Sequence, residues 1–175
     1  MIFLSLMEVY MSKYEIENVK LTAPKLDRKD LEYAMTYRYA CKKFDSTKKI
    51  SDEDWNAILT AARLAPTSLG FEPYELLVIQ NPEIREKMKA HGWGIQAGLE
   101  ASHFVVFLTR KKVDLEFDSP YVRHIQEEVK QLPAEIDAAY REKYAQFTTR
   151  DYKTFESERA AFDWASKQAY IVMAN

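Results

Sequence analysis

Tyr74-Glu75-Leu76-Leu77-Val78-Ile79-Gln80-Asn81-Pro82 is the stretch on which the fold turns. Its first seven residues are nearly continuous in apolar side chains, which predicts a strand buried on both faces. Asn81 suits a helix cap and Pro82 the first helical position, so a helix to about Ala90 should follow. A second apolar run, HFVVFLT at His103–Thr109, is also of strand length. The order strand, helix, strand predicts two neighbours in one sheet.

Working outward, the rest reads as helix. Leu31–Tyr39 forms a short helix with Asp27 or Asp30 near its start. Ser51 caps a second, and Asp52, Glu53 and Asp54 suit the positive end of its dipole. Trp55, Ile58, Leu59, Ala62 and Ala65 give that helix an apolar face, and Pro66 ends it. Pro66–Pro73 is a loop. Ser119-Pro120 opens a helix that Pro133 interrupts, and a second piece runs from Ala134 to about Phe147. The last helix starts near Thr154 or Ser157 and carries Phe162, Ala165, Ala169, Val172 and Met173 on one side.

Composition bounds what such a chain does. With 175 residues, 47% of them hydrophobic and 30% charged, it has enough apolar surface for a core of its own. Twenty-five basic residues against 27 acidic ones create no bulk attraction to nucleic acid or anionic membrane. One cysteine permits no internal disulfide. Only 4 residues are glycine, which favours a helix-rich fold over a many-turned sandwich. Met1–Tyr10 lacks a basic start and a cleavage site, and it reads as an extension outside the core. No apolar run reaches membrane length, and a cytoplasmic location is expected. Residues 1–175 then form one domain. The final helix stays apolar to Asn175 with no stop signal, and two strands rarely make an independent sheet. The sequence therefore reads as C-terminally incomplete, with further strands lacking.

Several chemistries are excluded. The chain has no dinucleotide fingerprint, no phosphate loop and no nucleophile elbow. His91, His103 and His124 do not pair at metal-ligand spacing, and His124 with Glu127 and Glu128 reads as a solvated face. His103 reads as a partly buried, satisfied histidine. Cys41 near Lys42 and Lys43 has a favoured thiolate but no histidine close in sequence.

Two segments carry a positive signal. In Arg38-Tyr39-Ala40-Cys41-Lys42-Lys43-Phe44 a planar fork suited to a phosphate stands four residues before a point charge, next to aromatics. Ala65-Pro66-Thr67-Ser68-Leu69-Gly70-Phe71-Glu72-Pro73-Tyr74 joins a helix to a strand with two hydroxyls and a glycine. With Ala101-Ser102-His103-Phe104-Val105-Val106-Phe107 they resemble, in order and spacing, three motifs of the nitroreductase family of flavin enzymes. These motifs are Arg-His/Tyr-x-x-Lys-x-Phe, a Pro-Ser/Thr-Ser loop ending in Pro-Trp, and an Ala-Ser-His-apolar strand. The resemblance covers about Leu31 to Asn175, and Lys167-Gln168-Ala169-Tyr170 looks like part of the family's long central helix.

The resemblance implies a helix-rich α+β fold around a small central sheet. It implies a homodimer with FMN at the subunit interface and NADH or NADPH as electron donor. Two electrons pass to nitroaromatic, quinone or flavin-type small molecules by a ping-pong cycle, without nucleic acid, metal or membrane. By the same resemblance Arg38 holds the FMN phosphate, Tyr39 and Ala40 line the ribityl and phosphate region, and Lys42 approaches the pyrimidine edge. Pro66, Thr67, Ser68 and Gly70 come from the other subunit, and Gln96 in Trp93-Gly94-Ile95-Gln96 bonds a ring amide. No catalytic acid or base is implied. The chain departs from the pattern at Tyr39, often histidine, at Ala40, often Ser or Thr, and at Tyr74, usually Trp. Gly94 and Ala97 stand where some relatives carry asparagine and lysine. The later Pro-Ile-Glu-Gly segment and the C-terminal phosphate ligands are absent. The alternative reading is a non-catalytic remnant or dimerisation protein that binds flavin weakly or not at all.

Overall fold

The computed structural model describes residues 27–175, so the predicted extension Met1–Tyr10 lies outside the described residues. The chain divides into one unit ending at Cys41 and a second from Lys42 to Asn175.

In the first unit, helix α1 (Arg28–Tyr37) starts where Asp27 accepts a hydrogen bond from the Lys29 amide. Tyr33 and Tyr37, one turn apart, stack at 5.7 Å, as side chains four residues apart on a helix can. The helix ends two residues before the predicted Tyr39, because Arg38 turns into extended backbone.

In the second unit, α2 (Asp52–Arg63) is capped by Ser51, whose hydroxyl accepts from the Asp54 amide. A short 3-10 turn (Ser68–Gly70) leads to β1 (Tyr74–Ile79). Asn81 caps α3 (Pro82–Met88) by accepting from the Glu83 and Ile84 amides, with Pro82 at its first position. Helix α4 (Gln96–Glu100) precedes β2 (Phe104–Thr109). Then follow α5 (Lys112–Leu115), α6 (Pro120–Arg123), α7 (Ala134–Gln146) and α8 (Glu158–Ala174), with Ser157 capping the last.

The two strands pair antiparallel from Tyr74 opposite Thr109 to Ile79 opposite Phe104. Burial on both faces is not what they show. Glu75 and Leu77 are exposed on one face, as is Leu108 opposite Glu75, while Leu76 and Val78 on the other are half-buried. Alternation of this kind is what an antiparallel pair covered on one side produces. Helix α8 packs against both strands, against α2 and against α5. Its buried stripe is Ala161, Trp164, Ala165, Gln168, Ala169 and Val172. The predicted stripe was partly misplaced, because Phe162 and Met173 are exposed at 51% and 57%. Alanines at positions 161, 165 and 169, four apart, let neighbours approach the helix axis closely.

The core is aromatic. Phe71, Leu115, Val122, Ile125, Tyr144, Phe155 and Trp164 form one buried cluster. Tyr144 lies 4.4 Å from the Phe71 ring and edge-on to Phe155. Its hydroxyl donates to the Leu115 carbonyl, which satisfies the one polar group that burial of this ring would otherwise strand.

Two wide π-type turns are absent from the sequence reading, His124–Val129 after α6 and Phe147–Asp151 after α7. Each closes with a bond to the fifth residue back, from the Lys130 amide to the Ile125 carbonyl and from the Tyr152 amide to the Phe147 carbonyl. Helix thus ends at the first of these turns, before Pro133 rather than at it. No helix among the described residues is long and apolar enough to cross a membrane.

Candidate functional site

The loop between α2 and β1 departs most from ordinary backbone. Leu69, Gly70 and Glu72 all have φ near the left-handed region, at 61°, 59° and 48°. For leucine and glutamate that conformation costs about 1 kcal/mol each, so the surroundings must enforce it. Four side chains from the helical part of the chain do so. Gln168 on α8 accepts the Ser68 amide at 2.8 Å. Tyr140 on α7 donates its hydroxyl to the Leu69 carbonyl at 2.7 Å, and Lys130 donates to the same oxygen at 2.8 Å. The Tyr121 hydroxyl shares its proton between the Phe71 and Glu72 carbonyls, at 2.9 and 2.8 Å.

The Tyr121 ring is itself held. The Arg110 guanidinium lies over it, 3.6 Å from its centre, and reaches Glu75. Lys130 sits among aromatics, 4.8 Å from the centre of the Phe71 ring and 5.1 Å from that of Tyr140. Burial pushes its ammonium down to about 8, against a smaller opposing pull from Glu72. Burial likewise pushes the Tyr140 hydroxyl up to about 12, so it stays a donor near neutrality.

A pH dependence follows from Lys130. The unfolded side chain keeps its proton up to about 10.5, whereas the folded one gives it up near 8. More protons are then bound by the unfolded state between those values, so stability rises with pH across that window. Relative to Lys130→Met, the wild-type chain should gain about 2 kcal/mol between about pH 8 and pH 10.5. Urea unfolding at the two ends of the window measures this, and an unchanged difference contradicts it.

Within this loop, the missing Cβ of Gly70 matters. A methyl group there combines a positive φ with an approach of 3.3 Å to the Lys130 Nζ. Gly70→Ala should lose about 1–2 kcal/mol in chemical denaturation. A variant as stable as wild type would mean that the turn is not held as described.

Pro66, Thr67, Ser68 and Gly70 are thus brought together in one turn. Three of its amides are already spent: Thr67 donates to Ala65, Ser68 to Gln168 and Gly70 to Thr67. The hydroxyls of Thr67 and Ser68 have no hydrogen-bond partner among the described residues and are available to a ligand. Pro66 and Gly70 can supply contact surface only.

The other expected site residues lie elsewhere. Arg38, Tyr39 and Ala40 are exposed in the first unit, following α1. Lys42 is exposed at the start of the second unit, without an ion pair among the described residues. Gln96 is exposed at the first position of α4, and Trp93 before it is 100% exposed. Gln96 and Lys42 make no hydrogen bond to the loop among the described residues.

His103 is half-buried and stacks on Trp55 at 4.1 Å, with Ser102 at 3.1 Å from its Nδ1. His124 pairs with Glu128 at 3.1 Å on an exposed helical surface, while Glu127 is bonded by Arg141. A cleft of about 350 Å³ opens elsewhere, beside Lys49, Gln80, Arg85, Lys89 and Glu100, and includes none of the expected site residues.

Sequence reasoning did not foresee Lys130, Tyr140, Tyr121 or Gln168 as the groups that hold this loop. They lie between 49 and 100 residues from their partners in the chain. The apolar flank of Gln168 was the one available signal, since a polar residue among Ala165, Ala169 and Val172 needs a partner.

The nitroreductase family model matches residues 35–175. YfkO of Bacillus subtilis, provisionally named an NAD(P)H nitroreductase, is 45% identical over 143 residues, which cover 81% of this chain and 65% of that protein. The chain spans 63–65% of the length of this and the similarly named staphylococcal relatives. Among solved structures, the provisionally named nitroreductase ydfN of Bacillus subtilis superposes with a TM-score of 0.66 at 16% identity. It covers 85% of this chain and 68% of its own. A provisionally named nitroreductase from Exiguobacterium sibiricum, solved in complex with FMN, gives 0.59 at 19% identity, over 82% of this chain and 65% of its own. The helix-rich α+β architecture with its small sheet agrees with those folds. On its sequence match from residue 35 to 175, this chain belongs to the nitroreductase family.

Proposed function

We propose that the protein is a cytoplasmic, homodimeric FMN-dependent oxidoreductase of one domain, which passes two electrons from NADH or NADPH to nitroaromatic, quinone or flavin-type acceptors by a ping-pong cycle. The observation that carries this reading is the clamped left-handed turn at Leu69–Glu72, next to two hydroxyls with no partner among the described residues. Strain of that kind is kept where a segment must be presented in one shape.

The residues present fit the cofactor. Arg38 offers a planar fork for the phosphate, and Tyr39 and Ala40 line the chain next to it. From the other subunit, Thr67 and Ser68 would offer hydroxyls to ribityl or phosphate oxygens, with Pro66 and Gly70 as contact surface. Gln96 bonds a ring amide. Lys42 holds a fixed positive charge at the pyrimidine edge, where negative charge develops on reduction. Bound FMN supplies the hydride and electron chemistry, and the chain's own residues bind it, orient it and set the charge around it. Acid–base catalysis by a side chain is not required.

The test is NADH and NADPH oxidation by the FMN-loaded protein, with and without a quinone such as menadione. Acceptor-dependent oxidation with parallel lines in double-reciprocal plots supports the reading. FMN binding without any acceptor-dependent turnover points to the non-catalytic alternative.

A further inference from the structure

Lys130 occupies an unusual place. It follows the π-type turn His124–Val129, and its own amide makes the bond that closes that turn, to the Ile125 carbonyl at 2.8 Å. A wide turn of this kind rotates the residue after it relative to an ordinary helix end, and such turns occur often at functional sites. The turn is stapled to α7 by Arg141, which bonds Glu127 at 2.6 Å and Asp137 at 2.8 Å. The two helical segments that supply Lys130 and Tyr140 are therefore held together, and both donors converge on one oxygen, the Leu69 carbonyl. A half-buried ammonium among aromatic rings is costly, and here its direct bond runs to a backbone oxygen rather than a carboxylate.

We propose that Lys130 is a positioning residue for the cofactor loop: its ammonium, with the Tyr140 hydroxyl, fixes the Leu69 carbonyl and so holds the left-handed turn that presents the Thr67 and Ser68 hydroxyls to FMN. The inference rests on the flavin reading above for its ligand, but the clamp itself is a property of the flavin-free chain. Lys130 touches no reacting atom and acts through the loop. The charged and titratable groups that face it are Glu72 from the loop and Tyr140 from α7.

The experiment compares wild type, Lys130→Met, Lys130→Arg and Tyr140→Phe. The first readout is amide hydrogen exchange across residues 67–71 in the flavin-free proteins. The second is the FMN dissociation constant by flavin fluorescence. Lys130→Met should speed exchange of that segment and weaken FMN binding by about tenfold, the equivalent of one charge-assisted hydrogen bond. Tyr140→Phe, which keeps the ring, should act in the same direction and replaces the first variant should that fail to fold. Burial lowers the pKa of the Lys130 ammonium in the clamped loop, so that state binds fewer protons than an opened one. The neutral amine still donates to the Leu69 carbonyl, and wild-type FMN affinity should rise modestly as pH passes through about 8. Lys130→Arg keeps its charge throughout and should hold its affinity flat over the same rise in pH.

Unchanged exchange at residues 67–71, or FMN binding equal to wild type in both Lys130→Met and Tyr140→Phe, overturns the proposal and leaves the flavin reading standing. A wild-type protein that binds no FMN overturns the flavin reading and with it the ligand assigned to the clamp.

Discussion

Replacing Arg85 by methionine should cost the fold about 3–4 kcal/mol, or roughly 10 °C in melting temperature. Arg85 is only 8% exposed, and its acceptors include no carboxylate. Its Nε donates to the Ile79 carbonyl at 2.7 Å. One terminal nitrogen donates to the carbonyls of Leu99 and Ala101, at 3.1 and 2.7 Å. The other donates to the Gln80 side chain at 2.6 Å and the Ser102 carbonyl at 3.3 Å. One planar fork thus ties the end of β1 to the end of α4 and to the lead-in to β2.

Methionine fills similar space but leaves four backbone carbonyls without their donor, and an unmade buried hydrogen bond costs more than a made one contributes. Lysine keeps the charge but has three donors on one atom, so Arg85→Lys should fall between the two. Thermal unfolding of the three proteins decides the matter. A methionine variant that melts within about 2 °C of wild type would mean that the fork contributes little beyond packing.

Arg38→Ala should weaken FMN binding by about 30-fold, or roughly 2 kcal/mol, while leaving riboflavin binding unchanged. The side chain is exposed and has no ion pair among the described residues, so its loss should hardly touch stability. Its proposed role is to hold a phosphate, and riboflavin lacks one. The ratio of the two affinities therefore isolates the phosphate contact from general damage to the site. Equal losses for both flavins would place Arg38 elsewhere than at the phosphate. No loss for either would remove it from the site.

The legible part of this fold was local. Asn81-Pro82, Ser51 and Ser119-Pro120 marked helix starts within a residue, because capping is chemistry between a side chain and amides two or three positions on. Strand positions followed from apolar runs. Strand burial did not, because an apolar run does not say how many layers cover it, and Leu77 is left exposed. The stripe on α8 was shifted for a related reason. Trp164 and Gln168 were the residues that found partners, while apolarity alone had favoured Phe162 and Met173.

The candidate site was legible as a set of motifs and not as a geometry. Pro66, Thr67, Ser68 and Gly70 are adjacent in sequence, so their meeting in one turn was a local matter. Nothing local announced that Leu69 and Glu72 would adopt left-handed backbone, since neither residue type prefers it. That conformation is imposed by Lys130, Tyr140 and Tyr121 from distant helices. Two π-type turns without a recognised sequence signature set where those helices end.

This chain is proposed to hold FMN for electron transfer. The direct measurement is the visible spectrum of the purified protein after incubation with FMN and desalting, followed by anaerobic addition of NADH or NADPH. Retained flavin absorption, approaching one FMN per subunit, and bleaching by at least one of the two donors are expected. A colourless protein after desalting would contradict the proposal.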